Sequence, residues 1–160
     1  MPKRPTVGMI AKGLDCECDN MKIATLYASS FGHTEKVVKS FLKEFPYQST
    51  IFQAPLSSDL LKPFDVFIFF CPTYGDDELH LDFEQTLISL QLPACSYALC
   101  ELGNYYGYDD FQFGPARIVR PYLAERRWHE IIEPLSLDAL PKINWPALWK
   151  WRKELIVKLS

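Results

Sequence analysis

The sequence predicts an α/β domain built on a doubly wound parallel sheet with helices on both faces. From Met21 onward, short apolar runs alternate with longer segments whose apolar residues recur at helical spacing, the pattern of successive strand–helix units. One run, "DVFIFFC" (Asp65 to Cys71), is apolar, β-branched and aromatic almost throughout, as a strand covered on both faces requires. Parallel neighbours need crossover connections, and those are right-handed, so helices must flank the sheet.

"KIATLYA" (Lys22 to Ala28) is the first strand. Thr34 to Glu44 places Val37, Val38, Phe41 and Leu42 on one helical face and Lys36, Lys39 and Lys43 on the other, with Pro46 just beyond the end. "STIFQA" is a weaker second strand, and Asp65 to Cys71 is the central third. Leu81 to Leu92 is the second helix, and "SYALCEL" the fourth strand. "FGPARIVRPYLAERR" is the third helix, in which Pro121 should kink or interrupt the turn. "EIIEPLSL" is the fifth strand, where Pro134 is tolerable only at an edge. "WPALWKWRKELIVKL" closes the chain as an amphipathic helix begun near Pro146, with Trp145, Trp149 and Trp151 as a core or interface stripe.

A chain of 160 residues that is 48% hydrophobic can bury the core of one domain. The net charge of −3 gives no broad nucleic-acid footprint, and no apolar run approaches the roughly 20 residues needed to span a bilayer. Three of the five cysteines, Cys71, Cys95 and Cys100, lie in or beside apolar runs, which suits free thiols in a reducing, cytoplasmic compartment. Cys16 and Cys18 lack a second ligand pair at zinc spacing, so no metal site is expected. Residues 1–20 carry Lys3, Arg4 and Lys12 around a weak apolar patch without secretory features. They are expected to be a flexible extension ahead of a single domain over residues 21–160, in a monomer.

In sheets of this kind ligands sit beyond the carboxyl ends of the strands, at the point where the winding reverses. The loops after the first, third and fourth strands are therefore the candidates. The first, "SSFGHT" (Ser29 to Thr34), offers three hydroxyls, a glycine and the start of a helix, which suits either a helix cap or a cradle for a terminal phosphate. It has no lysine or arginine and no Walker-type ending, which disfavours a nucleoside triphosphate with magnesium. The second, "CPTYGDDE", sets Tyr74 beside the permissive Gly75, which suits stacking on a planar ligand or a plain turn. The third, "ELGNYYGYDDF", has three tyrosines and two glycines, a composition that fits either a ligand loop or a tyrosine corner packed on the last helix. His33 is as consistent with a solvent-facing ring as with a phosphate contact through its amide, and His80 and His129 carry only surface or strand-end roles.

Taken together, the three loops resemble those of flavodoxins and of the flavodoxin-like domains of diflavin reductases, across Met21 to about Leu159. The hydroxyl-rich phosphate loop with Gly-x-Thr is matched by "SSFGHT", the Thr-Trp/Tyr-Gly-Asp element by Thr73 to Asp76, and the Gly-Asp/Asn element followed by an aromatic by Gly103-Asn104 with Tyr108. Flavodoxin is itself a standard instance of the switch-point rule, with FMN between strands one and three. The resemblance implies a flavodoxin-like sheet of strand order 2-1-3-4-5 and FMN as cofactor. The residues it implies around FMN are Ser29, Ser30, Phe31, Gly32, His33 and Thr34, then Pro72, Thr73, Tyr74, Gly75 and Asp76, then Leu102, Gly103, Asn104, Tyr108 and Phe111. Tyr74 and Tyr108 would sandwich the ring. Two departures stand out: Glu101 and Asp77 occupy places where the family commonly has a small residue, so the Glu101 carboxylate must point away or sit near the flavin.

By the same resemblance the protein is a short-chain, stand-alone electron carrier, working through the FMN semiquinone/hydroquinone couple with no acid–base residue of its own. Its partners would be an NAD(P)H-dependent reductase and a haem or iron–sulfur acceptor. They would dock on a rim formed by Asp76, Asp77, Glu78, Asp109 and Asp110, while Arg117, Arg120, Arg126 and Arg127 make the opposite pole. The alternatives are an FMN-dependent NAD(P)H:quinone reductase and a regulatory or assembly factor with weak or no flavin. A phosphoryl-accepting receiver domain is disfavoured, because Cys71-Pro72 stands where its carboxylate would follow strand three.

Overall fold

The structure, a computed structural model, describes residues 21–29, 32–74, 78–103, 114–139 and 142–160; the expected N-terminal extension, residues 1–20, lies outside them. The order of elements is β1 (Ile23–Tyr27), α1 (His33–Leu42), β2 (Ser49–Gln53), a 3-10 turn (Ser58–Leu61), β3 (Val66–Tyr74), β4 (Glu78–Leu79), α2 (Leu81–Ser89), β5 (Ser96–Gly103), α3 (Gly114–Glu125), β6 (His129–Glu130), β7 (Leu135–Asp138) and α4 (Trp145–Leu159).

The sheet runs β2-β1-β3-β5-β6, parallel throughout this path. β7 also pairs with β5 in parallel, further along it, through Cys100 to Gly103. β6 and β7 are thus two pieces of one edge position, and the expected fifth strand is present but broken. Pro134 lies in the gap, where its missing N–H leaves no ladder bond unmade. Counting that edge once, the strand order is the expected 2-1-3-4-5, with helices on both faces.

Alternation along β3 divides the core. Phe67, Phe69 and Cys71 point to one side, where Phe83 and Leu87 of α2 and Ala116, Val119 and Leu123 of α3 cover them. Val66, Ile68 and Phe70 point to the other, under Val37, Val38 and Phe41 of α1 and Leu148, Trp151 and Leu155 of α4. Phe69 is fully buried with Phe83 edge-on at 5.5 Å and Trp128 at 6.4 Å. Burial of one such ring contributes about 1.5–3 kcal/mol.

Two helices, α2 and α3, differ from their expected form. α2 stops at Ser89, three residues short of Leu92, because Leu90 turns to an extended conformation ahead of Pro93. α3 runs through Pro121 without interruption: the residue is exposed, so the carbonyl that loses its donor can meet water. Its end is a left-handed Arg127 (φ 64°), with Arg127 N–H bonded to Ala124 O and Trp128 N–H to Leu123 O, both at 3.0 Å. That reversal swings Trp128 into the core. On α4 the tryptophans part company. Trp151 is buried and donates from Nε1 to Glu133 O, whereas Trp145 and Trp149 stack on each other at 5.4 Å toward the surface.

Arg152 joins α4 to α1. Its Nη1 donates to Phe41 O at 3.1 Å and Ser40 O at 3.4 Å, satisfying carbonyls at the C-terminus of α1, and its guanidinium lies 4.4 Å above the Trp149 ring. Replacing Arg152 with Ala should cost about 1–2 kcal/mol, the sum expected for a lost charged cap and its packing. Urea denaturation of the Arg152→Ala protein checks this, with an unchanged midpoint as the contrary result.

Candidate functional site

The site is set by where strands end. β1 finishes at Tyr27, opposite Phe70, whereas β3 continues four residues further to Tyr74 and its pairing with β5 reaches Pro72 and Leu102. Pro72 lies past the last β1 partner, so no acceptor of β1 waits for the N–H it lacks. β3 and β5 thus overhang the end of β1 at the carboxyl edge of the sheet, beside the start of α1.

At the first loop, the Ser29 hydroxyl accepts from Gly32 N–H at 2.9 Å, and Gly32 takes a left-handed conformation (φ 84°) immediately before α1. No atom lies within 4 Å of where a Cβ would stand, so it is the backbone angle and not crowding that calls for glycine here. The first amide bonded within α1 is that of Lys36, to Gly32 O. The amides of His33, Thr34 and Glu35 have no acceptor inside the helix, and among the described residues no side chain caps them.

Buried polar side chains sharpen the contrast. Among the described residues these are Thr25, Thr34, His80, Thr86 and Glu101. Thr25 pairs with Ser49, Thr86 with Leu56 N–H and Asp82 O, His80 with Asp82 N–H, and Glu101 with Ala116 N–H and Ser136. The Thr34 hydroxyl, 2% exposed in the first turn of α1, has no partner among the described residues. His33 points to solvent. Glu35 in the same turn is bound by Lys39 at 2.7 Å, whose hydrogen bond and charge hold its carboxyl below the usual range. Burial pushes the hydroxyl of Tyr27 up, and the Glu35 charge adds to this.

The segment read as a second loop begins as strand. Pro72 and Thr73 are half-buried within β3, and Thr73 and Tyr74 pair with Leu79 and Glu78 in a short antiparallel return. Gly75 and Asp76, with Asp77, lie outside the described residues. His80 is not a surface residue: it is buried, and its Nδ1 accepts from Asp82 N–H at 3.2 Å, capping α2.

At the third loop, Leu102 is buried and Gly103 half-buried at the end of β5, where Gly103 O accepts from Ala139 N–H at 2.8 Å. Asn104, Tyr108 and Phe111 lie outside the described residues, as do Ser30 and Phe31 of the first loop. Of the two places open to the Glu101 carboxylate, the structure uses the start of α3: Oε1 accepts from Ala116 N–H at 3.0 Å, and Oε2 from the Ser136 hydroxyl of β7. An acid inside the apolar run "SYALCEL" was the one sequence signal of such an anchor.

The expected basic pole is partly spent internally. Arg120 forks onto Glu130 through Nε at 2.8 Å and Nη2 at 2.9 Å, with Tyr97 donating to the same carboxylate, and Arg126 lies 3.5 Å over the Tyr122 ring. Among the described residues, no cluster of His, Cys, Asp and Glu could hold a metal, and no helix is long and apolar enough to cross a membrane.

A five-position parallel sheet in the order 2-1-3-4-5, wound both ways from β1 and β3 and open at the carboxyl edge, is the flavodoxin-like α/β fold. Solved structures similar to this chain include flavodoxins. A point mutant of a flavodoxin from Pseudomonas aeruginosa is 26% identical, with 87% of this chain and 99% of that one covered at a TM-score of 0.73. Oxidised flavodoxin 1 from Bacillus cereus is 20% identical, with 87% and 99% covered and a TM-score of 0.68. The Fusobacterium nucleatum flavodoxin bound to flavin mononucleotide is 19% identical, with 86% and 96% covered and a TM-score of 0.67. No protein-family model matches the sequence, and no curated protein matches it significantly.

Cys71 and Cys100 lie at the carboxyl ends of the two central strands, fully buried, and burial pushes both thiols well above their ordinary range, with the Glu101 charge adding to it. Neither should be alkylated by iodoacetamide at pH 8 in the folded protein, and both should be once urea unfolds it. Peptide-resolved mass spectrometry checks this. Labelling of Cys71 in the folded state would mean that the strand end is open to solvent.

Proposed function

We propose that this chain is a small FMN-binding electron carrier of the flavodoxin type. The observation that carries the reading is the start of α1: an uncapped helix N-terminus at the switch point, with a buried threonine hydroxyl that has no partner among the described residues. This set fits a phosphate monoester. Outward-facing amides and a hydroxyl are donors, the positive end of the helix favours an anion, and the unpaired Thr34 hydroxyl would gain the bond that its burial otherwise denies it.

In this reading the Thr34 hydroxyl and the amides of His33, Thr34 and Glu35 hold the phosphate. Ser29 fixes Gly32 in the left-handed turn that presents those amides. The isoalloxazine lies over the overhang of β3 and β5, against Tyr74 and Tyr108, with Pro72, Thr73, Gly75, Asp76, Leu102, Gly103, Asn104 and Phe111 around it. Bound FMN supplies the redox chemistry, and the protein positions it and leaves one edge open. Donor and acceptor are an NAD(P)H-dependent reductase and a haem or iron–sulfur protein, drawn to the acidic side chains of Asp76 to Glu78 and of Asp109 and Asp110. The setting is the cytoplasm, the acting species a monomer, and residues 21–160 the working domain.

The purified protein should show a flavin absorbance spectrum with one FMN per chain, and should oxidise NADPH only when a reductase is added. Thr34→Val keeps the volume and removes the hydroxyl. It should weaken FMN about tenfold to a hundredfold, the range for a hydrogen bond to a charged group, and change riboflavin by less than about twofold. Equal losses for both ligands would put the phosphate elsewhere, and a chain that takes up neither would sink the reading.

A further inference from the structure

Glu35 is the one acid in the first turn of α1, three residues after the N-cap Gly32. In a capping box the acid at this position reaches back over the helix start and bonds the N-cap amide, so that the helix closes its own end. Here it does not. The Gly32 amide is taken by the Ser29 hydroxyl at 2.9 Å, and the Glu35 carboxylate is turned along the helix to Lys39, one turn on, with Oε2 2.7 Å from Nζ. The Tyr27 hydroxyl at the end of β1 adds a lesser hydrogen bond to the same carboxylate. Among the described residues no side chain caps the start of α1, and its first amides stay open beside the buried Thr34 hydroxyl.

A carboxylate left free at this position has a different place to go. The positive end of the helix and its unpaired amides attract it, and once there it both occupies donors and repels a second anion. The ion pair with Lys39 is exposed and screened by salt, so its effect on the fold is small; its effect on the helix start is to keep a competing charge away. We infer that Lys39 is a positioning residue for phosphate binding: by holding the Glu35 carboxylate along α1, it keeps the first-turn amides open to the ligand. The inference rests on the phosphate reading of this helix end for its ligand, whereas the placement of Glu35 does not depend on it. Lys36 provides the internal comparison. It is exposed, lies three residues nearer the helix start than Lys39 and, among the described residues, has no carboxylate partner.

The test compares Lys39→Met, Lys39→Arg, Lys36→Met and the double variant Lys39→Met with Glu35→Gln, in the full chain at low salt, with FMN and riboflavin as probes. Lys39→Met should weaken FMN about twofold to fivefold, the range for a charge at a helix N-terminus, and leave riboflavin unchanged. Lys39→Arg, which can keep the ion pair, should bind FMN as the unmodified chain does. Lys36→Met removes the same charge closer to the ligand and should cost less than Lys39→Met; an equal or greater loss would mean that net charge, and not the placement of Glu35, is at work. Adding Glu35→Gln to Lys39→Met should restore FMN binding, because the competing charge is gone. Exchange of the His33 and Thr34 amides reads the same event without ligand: it should slow in Lys39→Met and recover in the double variant. Unchanged FMN affinity in Lys39→Met overturns the inference, as does a loss shared with riboflavin or one that Glu35→Gln does not restore. If the unmodified chain takes up no FMN, the functional reading fails, and the placement of Glu35 stands or falls on whether Lys39→Met slows exchange of those two amides.

Discussion

β3 and β5 have to be covered on both faces, and nearly everything else in this molecule follows from that. From Phe67 to Cys71 and from Ala98 to Glu101 no side chain is measurably exposed. A parallel strand of this kind cannot be followed by a hairpin to its neighbour; the chain must cross over, and the crossover is a helix lying on one face. The four helices accordingly divide into two pairs, α1 with α4 and α2 with α3, one pair per face. Because each helix follows a strand, all four begin at the same edge of the sheet. The fold therefore gathers four positive helix ends and their unpaired amides along one rim.

What differs is how each end is satisfied. α2 is capped by the Nδ1 of His80, α4 by the side-chain oxygen of Asn144 through Ala147 N–H, and α3 by Glu101 reaching from the neighbouring strand. Among the described residues only α1 has no side-chain partner at its start. It is also the helix beside the switch point, preceded by a glycine in a conformation that turns the chain away from the amides. One open helix end at the topological reversal is a more specific arrangement than a hydroxyl-rich loop alone.

This explains what could be read from the sequence and what could not. β3 was legible because burial on both faces writes an unbroken apolar run, and α1 because its lysines and its Val37, Val38 and Phe41 fall on opposite faces. Pro134 correctly marked an edge, since the missing N–H acts locally. Pro121 misled because its cost depends on whether the orphaned carbonyl meets water, and that is decided by which face of α3 looks outward. His80 and Glu101 were not legible at all as caps. A cap is written in sequence only when its amide lies two or three residues ahead of a Ser, Thr, Asp or Asn. A histidine is a rare choice, and a partner 15 residues away follows from strand register alone. The choice between cap and cradle at "SSFGHT" was undecidable for the same reason: both need the same hydroxyls, and the sequence does not say that the Ser29 hydroxyl bonds Gly32 N–H and not an amide of the first turn of α1.

Glu101 also bears on how a ligand with one charged end would lie at this edge of the sheet. A buried carboxylate costs several kcal/mol unless its charge is compensated and its oxygens are bonded, so the residue is tolerable only because α3 and Ser136 supply both. The same pairing spends the positive end of α3. The two helix starts are therefore unequal: at α3 the Glu101 carboxylate already takes the Ala116 amide, and at α1, among the described residues, the first three amides and the buried Thr34 hydroxyl have no side-chain partner. On the proposed reading, a phosphate-bearing ligand would place its charge at α1, where the sequence from Ser29 to Thr34 holds no lysine or arginine and donors alone would meet it.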